Sequence, residues 1–136
     1  MPWDSMTGLV VGTLAFAAPA LAADVTVEVT DLRSGLGVVR VAVCPESSFT
    51  RPDCPYTATA PAGEVVVVRD VPAGVYAVQA FHDENNDGNL NRRGFRPSEG
   101  LGFSRDAPLR MGPPRFSDAA VQINGSGRLT LSMRYY

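Results

Sequence analysis

The chain has 136 residues, 45% of them hydrophobic and 19% charged, with 12 basic and 14 acidic side chains and a single histidine. That length suits one domain, and the near balance of charge supplies no basic surface of the kind nucleic acid requires. All 12 bases are arginine, which excludes a Gly-Lys-Ser/Thr phosphate loop and lysine Schiff-base chemistry.

Residues 5–23 carry no charge, and the apolar segment Leu9 to Ala18 is followed by Pro19 and the small residues Ala20 and Ala22. This pattern predicts a signal peptide over residues 1–22, cleaved after Ala22 or Ala23, although Asp4 stands where a basic residue is usual. A membrane anchor is the alternative, but the apolar run is shorter than the roughly 20 residues that span a bilayer. The expectation is an exported domain over 23–136, periplasmic or secreted, without a transmembrane segment in the mature chain.

In the mature part, Val25, Val27 and Val29 alternate with polar residues and predict a strand with one wet face. Gly35 and Gly37 mark a turn, after which Val39, Val41 and Val43 predict a second strand ending at Cys44. Gly63 introduces a strand over Glu64 to Asp70, and Pro72-Ala73-Gly74 predicts a tight turn. Val75 to Phe81 is apolar on both faces apart from Gln79 and reads as a central strand. Residues 83–115 are rich in Gly, Pro, Asn and Arg and read as one long loop. Regular pattern returns at Phe116 to Ile123, and Asn124-Gly125-Ser126-Gly127 predicts a hairpin turn into a last strand through Leu129, Leu131, Met133 and Tyr135. No segment has a sustained helical period. The fold expected is all-β, an antiparallel immunoglobulin-like or transthyretin-like sandwich of about six to seven strands with one long Arg/Gly/Pro-rich loop.

Cys44 and Cys54 form an even pair at short spacing, which in an oxidising compartment predicts a disulfide. A metal site or catalytic dithiol fits less well, because the single His is distant and the spacing is not Cys-x-x-Cys.

Chemistry-capable side chains crowd only in His82 to Asn91. Asp83, Asn85 and Asp87 occupy positions one, three and five of a calcium-loop pattern, with Gly88 at the sharp turn. Asn89 would add its carbonyl and Asn91 a neutral oxygen. Position twelve, where a bidentate Glu belongs, is Gly94, so a further carboxylate would have to come from Glu99, Asp106 or Asp118. With so few acids the affinity expected is weak, on the order of 10⁻⁴–10⁻³ M. The competing reading is that these Asp and Asn side chains cap their own backbone in Asx-turns.

Arg92, Arg93, Arg96, Arg105, Arg110 and Arg115 are opposed between residues 92 and 115 by Glu99 and Asp106 alone. Arginine forks suit phosphate or carboxylate, so Arg92, Arg93 and Arg96 are candidates for an anionic ligand such as lipid head groups or an acidic glycan. The alternative is that the arginines pair with Asp83, Glu84 and Asp87 and pin the loop to the strand ends. His82, as a catalytic base, would need a nucleophile and an orienting acid, and no nucleophile elbow or His-Glu-x-x-His pair exists. Its neighbour Asp83 should point to the opposite sheet face, and His82 reads better as a residue that closes the core or hydrogen-bonds the long loop. Asn124-Gly125-Ser126 matches a glycosylation acceptor but is explained by its turn chemistry.

The run from Val71 to Asn85, the Asn86-Asp87-Gly88 turn, Pro97 to Ser104, and Gly112 to Ala120 together resemble domain-of-unknown-function family 2141, small exported bacterial proteins, with Leu101 where that family favours an aromatic. The Pro-x-Gly-x-Tyr strand entry also resembles the carboxypeptidase regulatory-like sandwich domains. The resemblance implies a β-sandwich and export, and no activity. The function expected is a non-enzymatic exported module that binds an unknown envelope component or protein. A calcium-stabilised scaffold is the alternative, and a small hydrolase or lyase using His82 with Asp83 or Glu99 is the weakest reading.

Overall fold

A computed structural model describes residues 22–93 and 96–136. The predicted leader therefore lies outside the described residues apart from Ala22, as does Gly94. No helix among the described residues is long and apolar enough to cross a membrane.

Alternation of valine with polar residues produces the two sheets of a β-sandwich. The smaller sheet has the order β10-β1-β4, formed by β1 (Ala23–Thr30), β4 (Val66–Val71) and β10 (Gly127–Ser132). The larger has β3 (Tyr56–Pro61), β2 (Val38–Cys44) and β5 (Gly74–Asp83) side by side. The long strand β5 is central, as its apolar run predicts. Its first half pairs with β9 (Ala120–Ile123) and its second half with β8 (Leu101–Phe103). Val25 and Val27 of β1, Val66 and Val68 of β4 and Leu131 of β10 meet Val39, Val41 and Val43 of β2 and Val78 of β5, all buried between the sheets.

Four expectations need correction. First, β1 and β10 run parallel, Val25 lying opposite Gly127 and Thr30 opposite Ser132. Asn124–Ser126 is not a hairpin turn: β9 belongs to the larger sheet, so the turn carries the chain across the sandwich to the edge of β1 that β4 leaves free. Second, Phe116–Ala119 is one helical turn (α1), and only Ala120 onward is strand. Third, β3 was not expected, because Thr-Ala-Thr-Ala carries little apolar bulk. It is an edge strand whose Ala58 and Ala60 pack against the core while Thr57 and Thr59 face water.

Fourth, residues 83–115 are not one loop. They hold the ladder of β6 (Arg92–Arg93) and β7 (Arg96–Pro97), then β8 and a single 3-10 turn at Ser104–Asp106. Ser104 explains how the two partners of β5 meet. The N–H of Val78 falls between the stretches paired to β9 and β8, and the buried Ser104 hydroxyl accepts it at 2.9 Å while donating to the Ala119 carbonyl.

The outer face of the larger sheet carries a second, smaller core. Phe49 packs edge-on against Phe103 and Phe116, with Cys44, Ala77 and Ala119 beneath them. Cys44 and Cys54 are joined in a disulfide, their Cα atoms 5.1 Å apart, which closes the loop carrying Phe49. Loop-closure entropy at this short separation is worth about 3 kcal/mol. Reduction, or a double Cys44→Ala/Cys54→Ser variant, is expected to lower the unfolding free energy by about that amount in urea titrations.

Candidate functional site

Period-two geometry places His82 and Asp83 on opposite faces of β5, as expected. His82 faces the sandwich interior, fully buried. Its Nε2 lies 2.7 Å from the Leu36 carbonyl and its Nδ1 lies 2.8 Å from the Tyr135 hydroxyl. A carbonyl can only accept, so Nε2 carries the proton and Nδ1 accepts from Tyr135. Burial pushes the Tyr135 phenol up from its ordinary value, which keeps it a donor, and its oxygen in turn accepts the Arg33 N–H at 3.0 Å. Both ring nitrogens of His82 are therefore occupied within the protein.

Asp83 faces outward yet is also fully buried. One carboxylate oxygen accepts Arg40 Nε at 2.8 Å and the Gly88 N–H at 2.8 Å, and the other accepts the Asp87 N–H at 3.2 Å. Burial alone would raise this carboxyl, but the Arg40 bond and the two backbone donors outweigh it and hold Asp83 below the usual carboxylate range. Arg40 reaches it because Arg40 and Phe81 are register partners, so the guanidinium extends along the outer face to the next outward residue of β5. Its Nη2 also donates to Asn86 Oδ1 at 2.9 Å.

Next to it, Asp87 accepts the Asn89 N–H on one oxygen at 2.9 Å and Asn85 Nδ2 on the other at 3.3 Å. Glu99, buried, accepts the Glu84 N–H at 3.0 Å and the Asn91 N–H at 2.9 Å, so the far end of the segment is tied back to the strand end. Asn91 offers its carbonyl to the Ser98 N–H at 2.8 Å. Carboxylate oxygens of Asp83, Asp87 and Glu99 lie within 4.8 Å of one another. Of the three acids named for the missing ligand, Glu99 is the one in this group; Asp106 instead accepts the Ser132 N–H of β10.

Among the described residues, Asp83 and Glu84 take their countercharges from outside the arginine-rich loop. Asp83 pairs with Arg40, and Glu84 pairs with Arg33 at 2.5 Å and accepts the Ser34 hydroxyl at 2.9 Å. The Arg33 bond, opposed by burial and aided by Ser34, holds the Glu84 carboxyl below its ordinary value. Both arginines come from before β3, close enough in space because β2 and β5 are neighbours. A lone charge inside the valine run Val38–Cys44 was the available signal for Arg40. Arg33 and Ser34 gave none, lying in a turn.

Arg92 and Arg110 stand on a groove of about 1020 Å³ over the outer face of the larger sheet. Phe81, Leu101 and Phe103 line it beside Gln79, Leu90 comes from the acidic loop and Leu109 from beyond β8, and Thr50, Arg51 and Pro52 come from the disulfide loop. Among the described residues its lining includes Arg51, Arg92 and Arg110 and no Asp or Glu side chain, and none of the three makes an ion pair there. Arg51 was not among the candidates, since only the disulfide brings it here. Arg93 and Arg96 sit on β6 and β7, with their side chains outside the described part.

A family model described as an uncharacterised protein conserved in bacteria, DUF2141, matches residues 27–130. The chain belongs to the DUF2141 family. The match runs from within β1 into β10 and so takes in the acidic loop, the disulfide and nearly all of the DUF2141 groove. No curated protein and no solved structure matches the chain.

Proposed function

We propose that this DUF2141 domain is a non-enzymatic, exported binding module that recognises an anionic component of the cell envelope through its arginine-bearing groove. One observation carries the reading: Arg51, Arg92 and Arg110 share a concave, mostly apolar surface with no Asp or Glu among the described residues that line it. An arginine keeps its charge at any physiological pH, so three of them together favour an anion that is not part of the chain. The disulfide supports an oxidising compartment. The non-enzymatic part is supported by His82, whose ring nitrogens are both engaged and buried, which leaves no free general base there.

The test presents heparin, phosphatidylglycerol vesicles and laurate in turn to the mature domain. At least one is expected to bind, and the combined Arg51→Gln, Arg92→Gln, Arg110→Gln variant should bind it at least about tenfold more weakly at low salt. A domain that binds none of the three, or a variant that binds as well as the parent, sinks the reading.

A calcium-stabilised scaffold is the second reading, favoured by the convergence of Asp83, Asp87 and Glu99. On it, millimolar calcium raises the melting temperature and a chelator lowers it, by linkage. A melting temperature indifferent to both would leave Arg40 and the backbone N–H groups as the whole means of holding these carboxylates.

A further inference from the structure

We infer that the groove takes a single-chain amphiphile with an acidic head group, of the chemistry of a medium- or long-chain carboxylate. This rests on the anion-binding reading above and names the ligand class. The floor is the face of a sheet and not its edge. Gln79 to Phe81 of β5 are paired with β2 on one side and β8 on the other, and Leu101 exchanges both backbone bonds with Arg134 at 2.9 Å. An extended peptide laid there would find no backbone partners, and its own amides would be desolvated without hydrogen bonds.

A sugar chain fares little better. The uncharged polar side chains of the lining are Thr50, Gln79 and Tyr136, against a floor of Phe81, Leu101 and Phe103 walled by Leu90 and Leu109. An acyl chain has no polar atoms to satisfy, so it loses nothing on such a surface. The volume of about 1020 Å³ lies at the top of the roughly 300–1,000 Å³ span of small-molecule sites, far more than an inorganic anion fills. Met111, a lining residue, is wholly exposed to water. A flexible thioether held in solvent at a groove is suited to closing over an apolar chain. The head group then meets the guanidinium forks of Arg51, Arg92 and Arg110, which match a carboxylate in shape and charge.

The experiment is calorimetric titration of the mature domain with laurate below its micelle concentration, beside decanoate and lauryl alcohol. Laurate should bind one to one, and decanoate about tenfold more weakly, because two methylenes are removed from the floor. Lauryl alcohol should bind at least about tenfold more weakly than laurate, lacking the charge. The triple Arg51→Gln, Arg92→Gln, Arg110→Gln variant should lose the preference for laurate over the alcohol, and Leu90→Ser should weaken both. If laurate fails to bind, or binds with no dependence on chain length, while heparin or phosphatidylglycerol vesicles bind in an arginine-dependent way, the acyl-chain inference falls and the anion reading stands. If all three anions fail, both fall together.

Discussion

Replacing Arg40 with methionine is expected to destabilise the domain by about 3–5 kcal/mol at neutral pH, because it leaves the Asp83 carboxylate buried without its countercharge. Methionine keeps the length and apolar stem of the side chain, so the loss reports the guanidinium and not the packing. For a domain of this size that is a fall of roughly 10–20 °C in Tm.

The pH dependence separates this account from a general loss of stability. In the parent, Asp83 is held below its ordinary value, so its contribution is fully present above the unfolded value of about 3.9 and is lost as pH falls through the lower folded value. Without Arg40 only the two backbone donors still oppose burial, and the folded carboxyl moves up from its position in the parent. The difference in proton binding between the native and unfolded states then shrinks, so the variant should lose less stability on acidification than the parent. Asp83→Asn should flatten this part of the profile. Urea titrations from pH 3 to pH 8 on the three proteins would measure this, and parallel profiles for parent and Arg40→Met would refute the pairing as the source.

Gly37→Ala is expected to cost about 3–5 kcal/mol, although it adds only one methyl group. Gly37 has φ +66°, and a Cβ there would sit 2.1 Å from the Asp83 carbonyl oxygen and 2.6 Å from that of Glu84. Both obstacles are backbone, so no rotamer change relieves them. The chain just before β2 would have to move off the end of β5, where Val38 is in register with Asp83. Gly88→Ala is the control. Its φ is +81°, equally unfavourable for alanine, but an added Cβ meets nothing within 4 Å, so the cost should stay near 1 kcal/mol. Thermal denaturation of the two variants compares steric approach with backbone preference directly. Equal losses would mean that the close approach of Gly37 to the strand end has no energetic weight.

The strands carrying alternating valines were legible in the sequence because burial of one face imposes a period of two. That signal identified β1, β2 and β10, a run apolar on both faces identified β5, and the strand period put His82 and Asp83 on opposite faces. It failed for β3, where alanine and threonine leave too little contrast, and for Phe116–Ala119, where a single helical turn is too short to show a period of its own. The acidic loop was recognisable from its spacing, whereas which of Glu99, Asp106 and Asp118 returns to it was not: Glu99 bonds the backbone at both ends of the segment. The partners of the acids at the end of β5 were not legible, because ion pairing depends on proximity in space and not on charge balance within a segment. Asp83 and Glu84 find their partners across the sheet and in a distant turn, in Arg40 and Arg33.

By itself, the sequence determined the β class, the central strand, the cysteine pair and the place where acidic and arginine-rich chemistry gathers. These follow from local physics: side-chain period, turn chemistry and short-range closure. Which arginine neutralises which acid, the parallel course of β1 and β10, and the groove that unites Arg51 with Arg92 and Arg110 were decided only by the tertiary structure. Each depends on residues far apart in the chain being brought side by side, and that juxtaposition is set by strand order, which no local pattern encodes.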